Sequence, residues 1–127
     1  MSTLVNIKGN KPGFSMRNGR VLSINKIALR LLGCPRHILF WHSENENTLF
    51  IAASDGTSAL SFPVSDMYYR SKSGYQLENK NLIRAVKNCA KWGSHSTCAV
   101  DGEYLDDLGM VAFRLDNTRI EEVAVYE

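Results

Sequence analysis

The sequence predicts an α+β fold with mostly β structure, in which two strand–helix–hairpin units make up a single compact domain of residues 1–127. Two observations predict it. The order strand, helix, hairpin occurs over residues 18–53 and again over residues 73–115. Each unit also opens with Gly-x-x-Leu, from Gly19 and from Gly74, which indicates an internal duplication. The alternative is chance recurrence of a common α+β pattern.

The first unit begins with a short apolar strand at residues 21–24, directly after a glycine turn. Asn25 can cap a helix from Lys26, because its side-chain oxygen accepts a free backbone N–H. Apolar residues then recur at i, i+4 spacing, which predicts one apolar helix face. Gly33 provides the left-handed turn after the helix, and Pro35 prevents its continuation.

Two apolar runs, at residues 38–41 and 49–53, flank a polar run and predict a β-hairpin. Neither run alternates cleanly between apolar and polar residues, which is typical of strands buried on both faces. A single helix cannot cover both faces, so we expect the second unit to pack on this hairpin. Residues 59–64 are then predicted to form an edge strand, because Pro63 has no backbone N–H to donate to a neighbouring strand.

The second unit contains an amphipathic helix at residues 80–92, capped by Asn79 and closed by Gly93. Strands at residues 97–104 and 110–115 form its hairpin. The first of these strands contains an Asp-Gly pair, which is typical of a bulge or a tight turn.

The remaining segments are predicted to be connections or extensions. Residues 1–17 form an N-terminal extension of loop character with a short strand at residues 4–7. Residues 66–74 form a polar connector. Residues 116–127 form a C-terminal extension, either a last strand or a partner-binding segment.

Charge is distributed unevenly along the chain. Residues 1–43 hold seven Lys or Arg and no Asp or Glu, whereas residues 44–127 hold eight basic and thirteen acidic residues. A basic block of this size indicates a surface that faces a polyanion. The alternative is a positive surface that only keeps the protein in solution.

No enzyme chemistry is visible, so we expect a protein that is not an enzyme and holds no cofactor or metal. The three cysteines form no CxxC pair, and the three histidines have no recognised ligand spacing. His42 near Glu44, or His95 near Cys98, lacks a third orienting group at recognisable spacing. No apolar run approaches the length of a membrane helix and no signal peptide is seen, so a cytoplasmic location is expected.

The segment Gly19-Arg20-Val21-Leu22-Ser23-Ile24, with Leu31-Leu32-Gly33-Cys34-Pro35 and the following hairpin, resembles the AbrB/SpoVT family of swapped-hairpin transcription factors. The resemblance implies two copies interleaved into a small pseudo-twofold barrel, as in MraZ-like proteins that carry both copies in one chain. It also implies that basic residues near the first strand and helix contact DNA. In this chain those residues are Arg17, Arg20, Lys26, Arg30 and Arg36.

The leading expectation is therefore a DNA-binding transcriptional regulator that contacts duplex DNA, chiefly its phosphate backbone, through a basic N-terminal half. The alternative is a protein-interaction module, antitoxin-like or accessory, without direct nucleic-acid binding. Its working surface would be the acidic second half, with the Tyr68–Tyr69 pair and the C-terminal extension, held by a protein partner or a second copy.

Overall fold

The computed structural model describes residues 11–70, 74–93 and 95–121. Within these residues the fold is α+β and mostly β, as the sequence predicts. The strands are β1 Gly13–Arg17, β2 Val21–Ile24, β3 His37–Ser43, β4 Thr48–Ala53, β5 Phe62–Pro63, β6 Tyr75–Leu77, β7 Thr97–Leu105, β8 Met110–Arg114 and β9 Arg119–Glu121. The helices are α1 Lys26–Leu31, α2 Met67–Arg70 and α3 Lys80–Ala90, with a 3-10 turn at Leu115–Asn117.

Eight strands follow one another in the order β5-β3-β4-β8-β7-β1-β2-β6, and every pair is antiparallel. β9 also pairs with β7. The sheet curls into a half-barrel. Oη of Tyr75 in β6 donates a hydrogen bond of 2.6 Å to the carbonyl oxygen of Pro63 in β5, so the two ends of the strand order lie close together.

The two hairpins meet edge to edge through β4 and β8, where Ile51 lies opposite Val111. The first hairpin buries one face and not both, which differs from the sequence expectation. Ile38 and Ile51 are fully buried on the inner face, whereas Trp41 on the outer face is 47% exposed. The second unit therefore extends the sheet of the first hairpin and does not cover its outer face.

β1 lies inside the sheet, between β7 and β2, where the sequence analysis predicted a loop within an N-terminal extension. Phe14 and Met16 are buried, whereas Arg17 is exposed. This alternation is the ordinary pattern of a strand with one buried face. A loop was predicted here because glycines and a proline, which are typical of loops, precede this strand. The strand expected at residues 4–7 lies outside the described residues.

The two predicted helices have the predicted caps. Asn25 Oδ1 accepts a hydrogen bond of 3.0 Å from the Ala28 N–H, and Asn79 Oδ1 accepts one of 2.9 Å from the Leu82 N–H. α3 ends earlier than predicted, at Lys91 in the left-handed conformation, and not at Gly93. The polar connector contains one short helix, α2, that the sequence did not predict.

β7 runs without interruption through the Asp101–Gly102 pair, where a bulge or turn was expected. Gly102 lies opposite Phe113 in β8. A Cβ at Gly102 would lie 2.6 Å from the Ala112 carbonyl oxygen and 2.7 Å from the Phe113 ring. Glycine is therefore required here for close packing inside a continuous strand.

The core fills the half-barrel with side chains from both units. The Phe14 ring centroid lies 5.4 Å from that of Phe113 and 6.0 Å from that of Trp92. Cys98 is buried in the same core. In the part of the chain that the structure describes, no helix is long and apolar enough to cross a bilayer.

Candidate nucleic-acid interface

A cleft of about 620 Å³ lies between the β1–β2 turn and α3, and we call it the basic cleft. Its lining comes from both halves of the chain. Five of the lining residues are cationic: Arg17, Arg20, Lys80, Arg84 and Lys87. Glu78 is the single acidic residue among them. The cleft therefore concentrates positive charge that the sequence distributes over two distant segments.

The β1–β2 turn places Arg17 and Arg20 on either side of an Asn-Gly pair. Asn18 and Gly19 both have positive φ, 54° and 66°. Asn-Gly with two positive φ angles is the preferred two-residue hairpin turn, because its twist matches that of the strands. The Arg20 N–H closes the turn with a bond of 3.0 Å to the Arg17 carbonyl oxygen.

The second half of the chain holds this turn in place. The Gly19 N–H donates a bond of 3.0 Å to the Ser96 carbonyl oxygen, and the Asn18 N–H donates one of 3.1 Å to Thr97 Oγ1. Nζ of Lys87 donates a bond of 3.1 Å to the Gly19 carbonyl oxygen. The two arginines thus project from a fixed backbone, which lowers the entropy cost of binding a ligand.

α3 contributes its cations from one face. Lys80, Arg84 and Lys87 are spaced i, i+4 and i+7, so they share that face. Ile83 and Val86 are buried against the core. The helix therefore presents a basic face to the cleft and an apolar face to the interior of the protein.

The three arginines of the cleft are not held in ion pairs by carboxylates of the described residues. Among the described residues one ion pair is found, Arg36 with Asp66 at 3.9 Å, and neither residue lines the cleft. Arg17, Arg20 and Arg84 thus form no ion pair with any carboxylate in the described ranges. An anion entering the cleft need not displace a protein carboxylate from them.

The structure brings together two of the five residues that the sequence predicts to contact DNA, Arg17 and Arg20. Lys26 and Arg30 lie on α1, at the other end of β2. Nζ of Lys26 donates a hydrogen bond of 3.4 Å to the Tyr69 carbonyl oxygen. Arg36 faces Asp66 in the ion pair described above.

Sequence reasoning missed Lys80, Arg84 and Lys87. The second half carries net negative charge as a block, which drew attention away from it. The i, i+4, i+7 spacing of three cations on an amphipathic helix was the signal that identifies this face. Charge counted per helix face, and not per segment, would have found it.

The Tyr68–Tyr69 pair makes internal contacts. The rings of Tyr68 and Tyr75 meet edge to face at 4.8 Å, and Tyr69 Oη donates a hydrogen bond to the Pro35 carbonyl oxygen. Burial, with smaller effects from Cys34 and Asp66, raises the pKa of Tyr69 to about 12. Tyr68 thus packs α2 against β6, and Tyr69 joins α2 to the connection between α1 and β3.

His42, which is close to Glu44 in the sequence, forms a structural hydrogen bond. Nε2 of His42 donates to Asn47 Oδ1 at 2.9 Å, and Asn47 Nδ2 donates to Asp116 Oδ1 at 3.1 Å. This chain of bonds ties the first hairpin turn to the segment after β8 and contains no nucleophile. Across residues 11–70, 74–93 and 95–121, no three His, Cys, Asp or Glu side chains come together to hold a metal ion.

Comparisons of the chain with protein-family models, with curated proteins and with solved structures give no match. The geometry and charge of the basic cleft are therefore the basis for inferring a function.

Proposed function

We propose that the protein binds duplex DNA through the basic cleft and acts as a transcriptional regulator, without enzymatic activity. The observation that carries the proposal is the convergence of five cations from both halves of the chain on one cleft. Cations gathered on one surface can neutralise several DNA phosphates, and the free energy of such binding comes largely from release of counterions.

The lining of the cleft favours a duplex over a single strand. Proteins that bind single strands use aromatic side chains on which bases stack. The apolar lining residues here are Val21 and Ile83, and the described lining holds no aromatic residue. Recognition at this site therefore depends on phosphates, which a duplex presents in a regular array.

The strand pairing supports a pseudo-twofold swapped-hairpin arrangement, the finer form of the predicted fold. A twofold axis between β4 and β8 would exchange β1 with β5 and β3 with β7. The pairing of β1 with β7 then has its counterpart in that of β5 with β3. β4 with β8, and β2 with β6, pair across the axis.

The helices support the same relation. The N-caps Asn25 and Asn79 accept bonds from equivalent N–H groups three residues later. Each cap is followed at once by a lysine and, four residues on, by an arginine; these pairs are Lys26 with Arg30 and Lys80 with Arg84. The resemblance to AbrB/SpoVT proteins implies DNA contacts near the first strand and helix, and Arg17 and Arg20 flank the turn that leads into that strand.

A role in protein binding alone has less support. The surface suggested for it included Tyr68 and Tyr69, and these make internal contacts. The suggested protein-binding surface also included the acidic second half of the chain, but three cations of that half line the basic cleft.

Fluorescence anisotropy with a labelled duplex of two helical turns tests the proposal. Affinity should fall by two to four orders of magnitude between about 50 and about 200 mM salt. The variant Arg17→Gln/Arg84→Gln should bind more weakly at both salt concentrations. The matched control is Arg36→Gln/Arg114→Gln, which removes the same charge outside the cleft. Equal affinity of the two double variants would contradict the proposal.

A further inference from the structure

A row of short polar side chains crosses the outer face of the sheet beside the basic cleft. Ser15 in β1 lies opposite Ser23 in β2, and Ser23 lies opposite Gln76 in β6. Met16 and Leu22, one position along, are fully buried. Because side chains alternate along a strand, the Ser15–Ser23–Gln76 row faces away from the core.

This row adjoins the cleft through Glu78. Glu78 directly follows β6, two positions after Gln76, and both side chains are exposed. Glu78 is the acidic residue that lines the cleft. A duplex whose backbone lies against Arg17 and Arg84 would therefore be next to Glu78, and Gln76 lies two positions back along the chain.

The chemistry of these two side chains suits base edges and not phosphates. A glutamine amide can donate to and accept from adenine in the major groove, and a glutamate accepts from the cytosine amino group. Glu78 forms no ion pair with the described cations around it, so its carboxylate is available as an acceptor. A carboxylate would repel a phosphate at the same position.

The floor of the surface permits close approach. Ser15 and Ser23 have short side chains, and Ala99 of β7 continues the row on the other side of Ser15. Together with Gly13 and Gly74 they line a hollow of about 290 Å³, which has one carboxylate, Asp101, in its lining. Long side chains here would hold a duplex away from Gln76.

We propose that Gln76 and Glu78 read base edges and give the protein its sequence preference. This inference rests on the proposed binding of duplex DNA in the basic cleft. Gln76 would favour adenine at one position of the site and Glu78 cytosine at another, while the cations of the cleft fix the register on the backbone.

The test is selection from a duplex library with a random central segment, carried out with the full chain. Wild type, Gln76→Ala, Glu78→Gln and the control Asn81→Ala are compared. Asn81 is exposed on α3 and lines neither the cleft nor the row. Wild type and Asn81→Ala should enrich one common motif. Gln76→Ala should lose roughly tenfold discrimination at one position and Glu78→Gln at another.

The anisotropy of a mixed-sequence duplex, measured alongside, separates the two proposals. Asn81→Ala should bind it as wild type does, and Glu78→Gln severalfold more tightly, because a repulsive charge has been removed. If all four proteins enrich the same motif, or if wild type binds without enriching any, the reading role of Gln76 and Glu78 is wrong and DNA binding stands. If wild type binds no duplex at all, the proposed function itself fails.

Discussion

Nζ of Lys87 in α3 donates a hydrogen bond of 3.1 Å to the carbonyl oxygen of Gly19, at the centre of the β1–β2 turn. These residues are 68 positions apart in the chain. The bond joins the helix of the second half to the turn that carries Arg17 and Arg20. It therefore holds the two chain segments that line the basic cleft in a fixed position relative to each other.

Lys87→Met should lower the free energy of unfolding by about 1 kcal/mol, the net contribution of a typical intramolecular hydrogen bond. Methionine keeps the length and apolar stem of lysine, so the loss reports the ammonium group. Urea unfolding measures it. Lys91→Met is the control, since Lys91 is exposed beyond the end of α3. Equal losses in the two variants would show that the Gly19 bond does not stabilise the fold.

Each cation of the cleft should contribute separately to the salt dependence of DNA binding. Arg20→Gln and Lys80→Gln should each reduce the slope of log affinity against log salt by roughly one unit, because each removes one phosphate contact. Arg114→Gln, on β8 outside the cleft, should leave the slope unchanged. A similar change in all three variants would indicate a general effect of net charge.

Asn25→Ala should destabilise the protein by about 1 kcal/mol or slightly more. Its Oδ1 caps α1, and its Nδ2 donates a second bond of 2.9 Å to the Lys11 carbonyl oxygen. Asn79→Ala, which loses the cap alone, should cost less. Thermal or urea unfolding gives both values, with the exposed Asn81→Ala as the reference. The reverse order of Asn25→Ala and Asn79→Ala would mean that the Lys11 bond contributes nothing.

Stability should fall as pH rises from about 10 to about 12. Burial, followed by the nearby Tyr68 and Tyr69, raises the pKa of Tyr75 to about 12 from its ordinary value of 10.0. The folded state therefore holds the phenolic proton more tightly than the unfolded chain does, and this contribution is complete below pH 10. Urea unfolding across this range should give a steeper fall for wild type than for Tyr75→Phe. The variant should retain part of the fall, because the pKa of Tyr69 is also about 12.

Parallel pH profiles for wild type and Tyr75→Phe would contradict this assignment. The ultraviolet absorbance of ionised tyrosine, followed against pH, is an independent measurement. Tyr75→Phe should remove one tyrosine that ionises only near pH 12.

Local signals in the sequence predict much of the fold. The strand at Val21–Ile24 and the caps at Asn25 and Asn79 lie where predicted, because each depends on neighbours within a few residues. β1 and the continuous path of β7 were not predicted. Gly13 and Gly102 look like turn residues alone, but within the sheet they are places where other atoms approach closely. Such contacts come from partners distant in the chain.

The candidate site was only half predictable for the same reason. Arg17 and Arg20 lie beside a recognisable Asn-Gly turn, so local reasoning found them. Lys80 and Arg84 join them only because β2 and β6 pair, which brings α3 beside the turn. The acids of the second half mostly lie elsewhere, for example at Asp106 and Asp107 in the β7–β8 turn.

Titration of the ¹⁵N-labelled protein with a duplex of two helical turns, followed by amide chemical shifts, tests the central claim most directly. Binding in the basic cleft should move the resonances of Asn18 and Gly19 together with those of Lys80 and Arg84. It should leave the resonance of Leu108 unchanged, because the β7–β8 turn lies at the opposite end of β7 from Thr97, which contacts Asn18. Shifts confined to one half of the chain, centred on Leu108, or absent at low salt would contradict a DNA site shared by the two halves.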